Sequence, residues 1–183
     1  MTTRRIFKSR TSRQAEIQDV LCGLLTAEVI RPSHTLWLVS PWVTDLELLD
    51  NRTGNFDYLE PAWGQRKVQI TELLTRMLAN GGRLKLVTNR DAHNARFLRH
   101  ITERAEGYGV SERLSVLQKD KLHTKGILGE HYYLHGSMNL TIGGVEINDE
   151  QINLSTDKQS IAEARLTFRK HYGPVDVNTG GTE

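Results

Sequence analysis

TLWLVS (35–40) and RLKLVT (83–88) are apolar runs, short enough for buried strands, and what separates them has helical spacing. Pro41 stops the first run. Ile70, Leu73, Leu74, Met77 and Leu78 mark a helix that Asn80-Gly81-Gly82 closes before the second run. Upstream, Thr11 to Gln14 reads as a capping box, and Ile17, Val20, Leu21, Leu24 and Leu25 follow helical spacing. Downstream, Asp91 can cap a third helix carrying Phe97 and Ile101. RLSVL, LHTKGIL, YYLHGS and QINLST then read as strands, and residues 158–170 as a last helix. Strands alternating with helices, followed by a run of strands, predict an α/β sandwich with a mixed central sheet. At 183 residues one domain over 1–183 is expected, with a basic N-terminal arm (1–12) and a flexible tail (174–183).

DNRTGNFDYLEPAWGQ (50–65) is long for a connection and carries Phe56, Tyr58 and Trp63. Such a loop either serves function or docks its aromatics onto the body. The single cysteine, Cys22, excludes an intrachain disulfide and suits a reducing cytoplasm. Twin arginines at Arg4-Arg5 resemble an export signal, but the polar SRTSRQAEIQD that follows is not its apolar core. No run has the apolar length of a membrane span, so a soluble cytoplasmic protein is expected.

Formal net charge is only +2, yet residues 66–125 hold thirteen Lys or Arg against six Asp or Glu, and 126–183 hold four against eight. A basic middle suits either a solvated surface or a polyanion such as nucleic acid or anionic lipid.

LHTKGILGEHYYLHGSMNL (122–140) carries the chemistry. His123 and Lys125 are two apart, as are Ser137 and Asn139; on neighbouring strands each pair would share a face and the four would meet in one patch. Neutral imidazole attacks phosphorus and leaves again readily. A lysine, an amide and a hydroxyl supply what a phosphodiester needs as a fifth oxygen approaches, without a metal or cofactor. Glu150 is the candidate carboxylate to fix the His123 tautomer. Glu130, His131 and His135 imitate a metal cluster, but a His pair at that spacing needs a helix and this segment reads as a hairpin. His34, His93, His100 and His171 have no partner visible in the sequence.

HTKGILGE, GSMNLT and INDE, in that order, resemble the phospholipase D superfamily, whose signature is H-x-K-x4-D, G-S-x-N and a downstream Glu. The resemblance is strongest over about 113–155 and extends to LWLVSPWV. It implies a phospholipase D-like α-β-α sandwich, His123 as nucleophile, Lys125, Ser137 and Asn139 as phosphate-holding groups, and Glu150 as the residue orienting the histidine. Arg90 and Trp42 are added as candidate substrate-binding residues. Glu130 departs from the Asp of the signature, a position implied to be structural. Members use two histidines, and this chain has one H-x-K motif; the resemblance therefore implies a homodimer with one shared site, as in the small nucleases of the family. DNA is the favoured partner. The chain is also similar to the phospholipase D-like component of bacterial 7-deazapurine DNA-modification and restriction clusters, which implies further partner subunits. The rival readings are a phospholipid phosphodiesterase, with loop 50–65 as an acyl-binding lip, and a non-catalytic nucleic-acid-binding subunit.

Overall fold

The computed structural model describes residues 3–8 and 15–173; the capping box at Thr11–Gln14, the rest of the arm and the tail lie outside them. The first half runs β1 (Thr3–Lys8), α1 (Ala15–Ile30), β2 (Leu36–Val39), β3 (Glu47–Asp50), β4 (Lys67–Gln69), α2 (Ile70–Ala79) and β5 (Leu84–Asn89). The second runs α3 (Ala95–Gly107), β6 (Leu114–Lys119), β7 (Gly126–Leu128), β8 (Tyr133–Gly136), β9 (Glu150–Ser155) and α4 (Lys158–Tyr172).

Seven strands form one sheet in the order β1-β9-β8-β7-β2-β5-β6. β2, β5 and β6 are parallel, and the other neighbours are antiparallel, so the sheet is mixed as the alternation predicts. All four residues of β2 are buried. Leu36 and Leu38 face a large core with α1, α2 and α3, while Trp37 and Val39 face a smaller one under α4. A strand covered on both sides reads as unbroken apolar sequence, which is why TLWLVS shows no alternation. Phe168 of α4 meets Trp37 and Tyr133 edge-on, with ring centroids 6.0 and 5.8 Å apart, the arrangement that ring quadrupoles favour. The result is an α-β-α sandwich.

Part of the expected basic arm is instead an edge strand: β1 pairs antiparallel with β9, and Ile6 is buried against the sheet while Arg4 pairs with Glu16. Alternation across a two-residue pleat, with one apolar side chain facing in, is too short a signal to stand out among five basic residues. The hairpin β3–β4 also escaped periodicity, because its strands have only four and three residues. It frames loop 50–65, whose inner surface is organised by Asn51. That side chain donates to Asp57 and to the Gly64 carbonyl and accepts from the Phe56 amide. Trp63 is buried, Phe56 packs on the core, and only Tyr58 of the three aromatics stands out into solvent, 74% exposed. Docking is therefore the role of most of this loop. Asp91 caps a 3-10 turn, Ala92–Asn94, that precedes α3, accepting from the His93 amide.

Candidate functional site

The carboxyl ends of parallel strands are where an open α/β sheet presents a site, and here β2, β5, β6 and β8 end on the edge from which β7 and β9 start. His123 and Lys125 are not within a strand. β7 begins at Gly126, opposite Val39, and the next residues of the β2 side are Ser40 and Pro41. Proline has no amide to donate, so pairing stops there and the 122–125 segment leaves the sheet. Ser137 and Asn139 likewise follow β8 rather than belonging to it. The structure thus brings the four side chains to one edge, through segments just outside two neighbouring strands.

The G-S pair has a steric basis. A Cβ on Gly136 would come within 2.0 Å of the Gln151 carbonyl oxygen on β9, and one on Gly144 within 2.2 Å of the Asn139 carbonyl oxygen. Only glycine allows these two backbones to approach the patch so closely.

His123 is exposed, and its ring makes no hydrogen bond among the described residues. Lys125 Nζ donates to the His123 carbonyl oxygen at 2.8 Å, closing the H-x-K turn and leaving two ammonium hydrogens for an anion. Asn139 Oδ1 is buried with no hydrogen-bond partner among the described residues; the groups this side chain can offer a phosphate oxygen are its Nδ2 hydrogens. Glu150 is only 8% exposed and accepts a hydrogen bond from the Ser137 hydroxyl, not from His123. Ser137 Oγ in turn accepts from the Gln151 amide at 3.0 Å. The expected Glu150–His123 contact is therefore replaced by a Glu150–Ser137 one. A carboxylate at the start of β9 meets the hydroxyl just beyond the end of β8.

Three residues that the motif search missed fix this geometry. Asn89 Oδ1, at the end of β5, accepts from the Leu122 amide at 2.7 Å and so anchors the residue before His123. Ser40 Oγ, beyond β2, accepts from the Leu140 amide at 3.1 Å and anchors the residue after Asn139. Asn94, 0% exposed, donates to the Pro41 and Asn89 carbonyls and accepts from the Val43 amide at 2.8 Å. Polar residues at the carboxyl ends of two apolar strands were the available signal. Asn94→Ala would leave the buried Val43 amide without its acceptor and remove the donor to the Asn89 carbonyl, and a loss of about 3 kcal/mol in stability is expected. An unchanged denaturation midpoint would contradict that clamp.

Trp42 and Arg90 lie on the same edge, following β2 and β5. Arg90 is exposed, with its Nε 3.8 Å from Asp120. The Trp42 indole nitrogen donates to Asp91 at 3.1 Å. Asp91 is held below the usual carboxylate range by the His93 amide first and by Trp42 second. Much of the basic middle segment is used internally instead of forming one basic face. Arg66 and Arg104 pair with Glu72, Arg76 with Glu60, buried Lys85 donates to Ser115, and Arg113 to the Leu78 carbonyl. Two further unexpected pairs hold histidines near this edge: His100 Nδ1 lies 2.8 Å from Asp45, and His93 Nε2 lies 3.1 Å from Thr44.

Glu130 sits at the far end of β7, away from His123. It lines a hollow of about 200 Å³ with His34, Arg165 and Arg169, and its carboxylate accepts weakly from the His34 amide. His135 stacks on Tyr133 with centroids 4.5 Å apart, and burial lowers its basicity. Among the described residues, no three His, Cys, Asp or Glu side chains are grouped as metal ligands. The cavity beneath the patch, between Val39, Lys125, Gly136 and Leu140, is about 20 Å³, room for one water. Any larger ligand must lie on the open edge.

A mixed-sheet sandwich of this topology, with these residues along the carboxyl edge, is an arrangement that the comparisons place among phospholipase D-like domains. The family model described as "Cardiolipin synthase, PLD-like domain" matches residues 46–172. The chain belongs to the phospholipase D-like family. Among solved structures it is similar to NucT from Helicobacter pylori, at 14% identity and TM-score 0.57, covering 92% of this chain and 94% of that one. It is similar to Nuc from Salmonella typhimurium, a phospholipase D family member, at 12% identity and TM-score 0.58, covering 92% and 91%. It also resembles TrmBL2, an archaeal chromatin protein with a novel mode of DNA binding, at 10% identity and TM-score 0.55, covering 93% of this chain and 51% of that one. No curated protein matches the sequence. Among the described residues no helix is long and apolar enough to cross a membrane.

Proposed function

We propose that the chain is a metal-independent phosphodiesterase acting on nucleic acid, DNA first, through a phosphohistidine intermediate at a site shared by two copies. What carries the reading is the placement of His123, Lys125, Ser137 and Asn139 along one open sheet edge, with the His123 ring exposed and two Lys125 ammonium hydrogens left for an anion. In the first step His123 forms an N–P bond as the P–O bond to the leaving strand breaks, and the partner's His123 gives that oxygen its proton. In the second, water attacks phosphorus, the N–P bond breaks, and the water proton passes to the same partner ring. Lys125 and Asn139 hold the equatorial oxygens where negative charge accumulates. Glu150 would set the Ser137 hydroxyl through one carboxylate oxygen, leaving the other to accept from a histidine.

An open edge without an enclosed cavity favours a polymer over a lipid headgroup with buried acyl chains. Burial of Trp63 and docking of Phe56 remove most of the surface an acyl-binding lip would need. The likeness to TrmBL2 supports a second reading, a binding subunit without turnover. In the wider setting the enzyme serves bacterial DNA restriction or defence beside partner subunits, which copurification from the native host tests.

The deciding assay offers purified protein single- and double-stranded DNA, RNA and phospholipid vesicles, with and without excess EDTA. Cleavage of nucleic acid is expected to survive the chelator, because cationic and amide side chains rather than a Lewis acid stabilise the charge. Activity lost in EDTA and restored by Mg²⁺ or Zn²⁺ would contradict the mechanism. Turnover of vesicles alone would move the substrate to lipid. Binding of DNA with no turnover by an intact dimer would leave the second reading.

A further inference from the structure

Trp42 sits beside the patch as a large aromatic residue that the fold leaves partly open to solvent. The residue is 40% exposed although it lies only three positions beyond a fully buried strand. Nothing about it is loose. The indole N–H is tied to Asp91 at 3.1 Å, and the carbonyl oxygen accepts from Ser40 Oγ at 2.7 Å. The next residue, Val43, is tied to Asn94 and bridges in parallel to Leu140, the neighbour of Asn139. The same serine, Ser40, also holds the Leu140 amide. A large, pre-positioned aromatic surface is therefore coupled through two short links to the Asn139 side of the patch. Such surfaces are what bases stack on, because every base has a π-face and a fixed ring loses little entropy on contact. In a duplex both faces of a base are already covered by its neighbours, so an indole can be used only by an unpaired nucleotide.

We infer that Trp42 is a base-stacking platform, and that the chain takes single-stranded nucleic acid with an unpaired base next to the scissile phosphate. This rests on the phosphodiester reading above and narrows it. Asp91 keeps the indole edge fixed. Arg90 and Lys121, exposed after β5 and β6, lie farther along the same edge, where a departing backbone would meet positive charge.

The test measures binding in the His123→Ala background, so that turnover cannot interfere, by fluorescence anisotropy of three labelled probes. These are a short single strand, the same strand carrying abasic sites, and the corresponding duplex. Adding Trp42→Ala is expected to weaken the base-bearing strand by about 5- to 150-fold while the abasic strand and the duplex change by less than about twofold. Trp42→Phe should restore most of the loss. Equal losses for base-bearing and abasic strands would mean the ring only supports the local fold, and no loss on the single strand would mean it touches no base; either overturns the inference. Base-dependent binding that persists in a wild-type protein unable to cleave any diester would overturn the proposed catalysis and leave the stacking platform standing.

Discussion

His123→Ala is expected to lower turnover on the order of 10⁴- to 10⁶-fold, the range for deleting one member of a nucleophilic site, while leaving thermal stability unchanged within about 0.5 kcal/mol. The two halves of that expectation come from different facts. The ring is exposed and makes no hydrogen bond among the described residues, so the folded state loses almost nothing with it. The reaction loses the atom that bonds to phosphorus. Lys125→Met and Asn139→Ala should each cost about 3–4 kcal/mol of transition-state stabilisation, seen in kcat more than in KM, because they act on charge that develops only as phosphorus becomes five-coordinate. Single-turnover quenching should trap one nucleic-acid fragment, joined through its phosphorus, on the wild-type chain and not on the His123→Ala chain. An His123→Ala protein cleaving at anything near the wild-type rate sinks the nucleophile assignment.

The elements that depend on burial were legible in the sequence, and those that depend on neighbours were not. β2, β5 and the apolar stripes of α1 and α2 are long or dense enough for periodicity to reveal them, since each buries a continuous face. β1 has one inward residue, Ile6, and takes its strand form from β9, a partner some 145 positions away that local pattern cannot supply. At the site, candidate residues stood out because phosphoryl chemistry needs particular atoms at particular spacings. Their placement was readable only to the level of the edge. Pro41 ends the pairing that would have put His123 and Lys125 in a strand, yet it belongs to a different segment from the motif it interrupts. Asn89, Asn94 and Ser40 make the same point. Each bonds a backbone group far away in sequence, and none carries a spacing that would single it out. Glu150 lies beside the patch, and the hydrogen it holds is that of Ser137, just beyond the end of β8.

Catalytic roles divided between two copies of one residue make a sharper demand than any single substitution. If one His123 attacks while the partner's His123 protonates the leaving oxygen, one ring must be neutral and the other charged at the same moment. Two identical groups about a two-fold axis share protons as a pair, so the rate is expected to rise and then fall with pH. The edge carrying a His123 ring that is exposed and makes no hydrogen bond among the described residues is the natural place for such an axis, since a self-complementary interface brings each residue opposite its own copy. Activity should then require the dimer and disappear on dilution below its dissociation constant. Mixing wild-type with His123→Ala subunits provides the quantitative version. A heterodimer holds one histidine and lacks either the nucleophile or the acid, so only wild-type pairs turn over. With free exchange, equal amounts of the two proteins should retain about one quarter of the wild-type activity, the share of intact pairs under random two-fold assembly. Retention of about one half, with exchange verified by mixed-tag pull-down, would mean that each copy works alone. In that case the proton for the leaving group must come from within one chain. His93 and His100, each held near the same edge by a neighbouring Thr44 or Asp45, would become the groups to test.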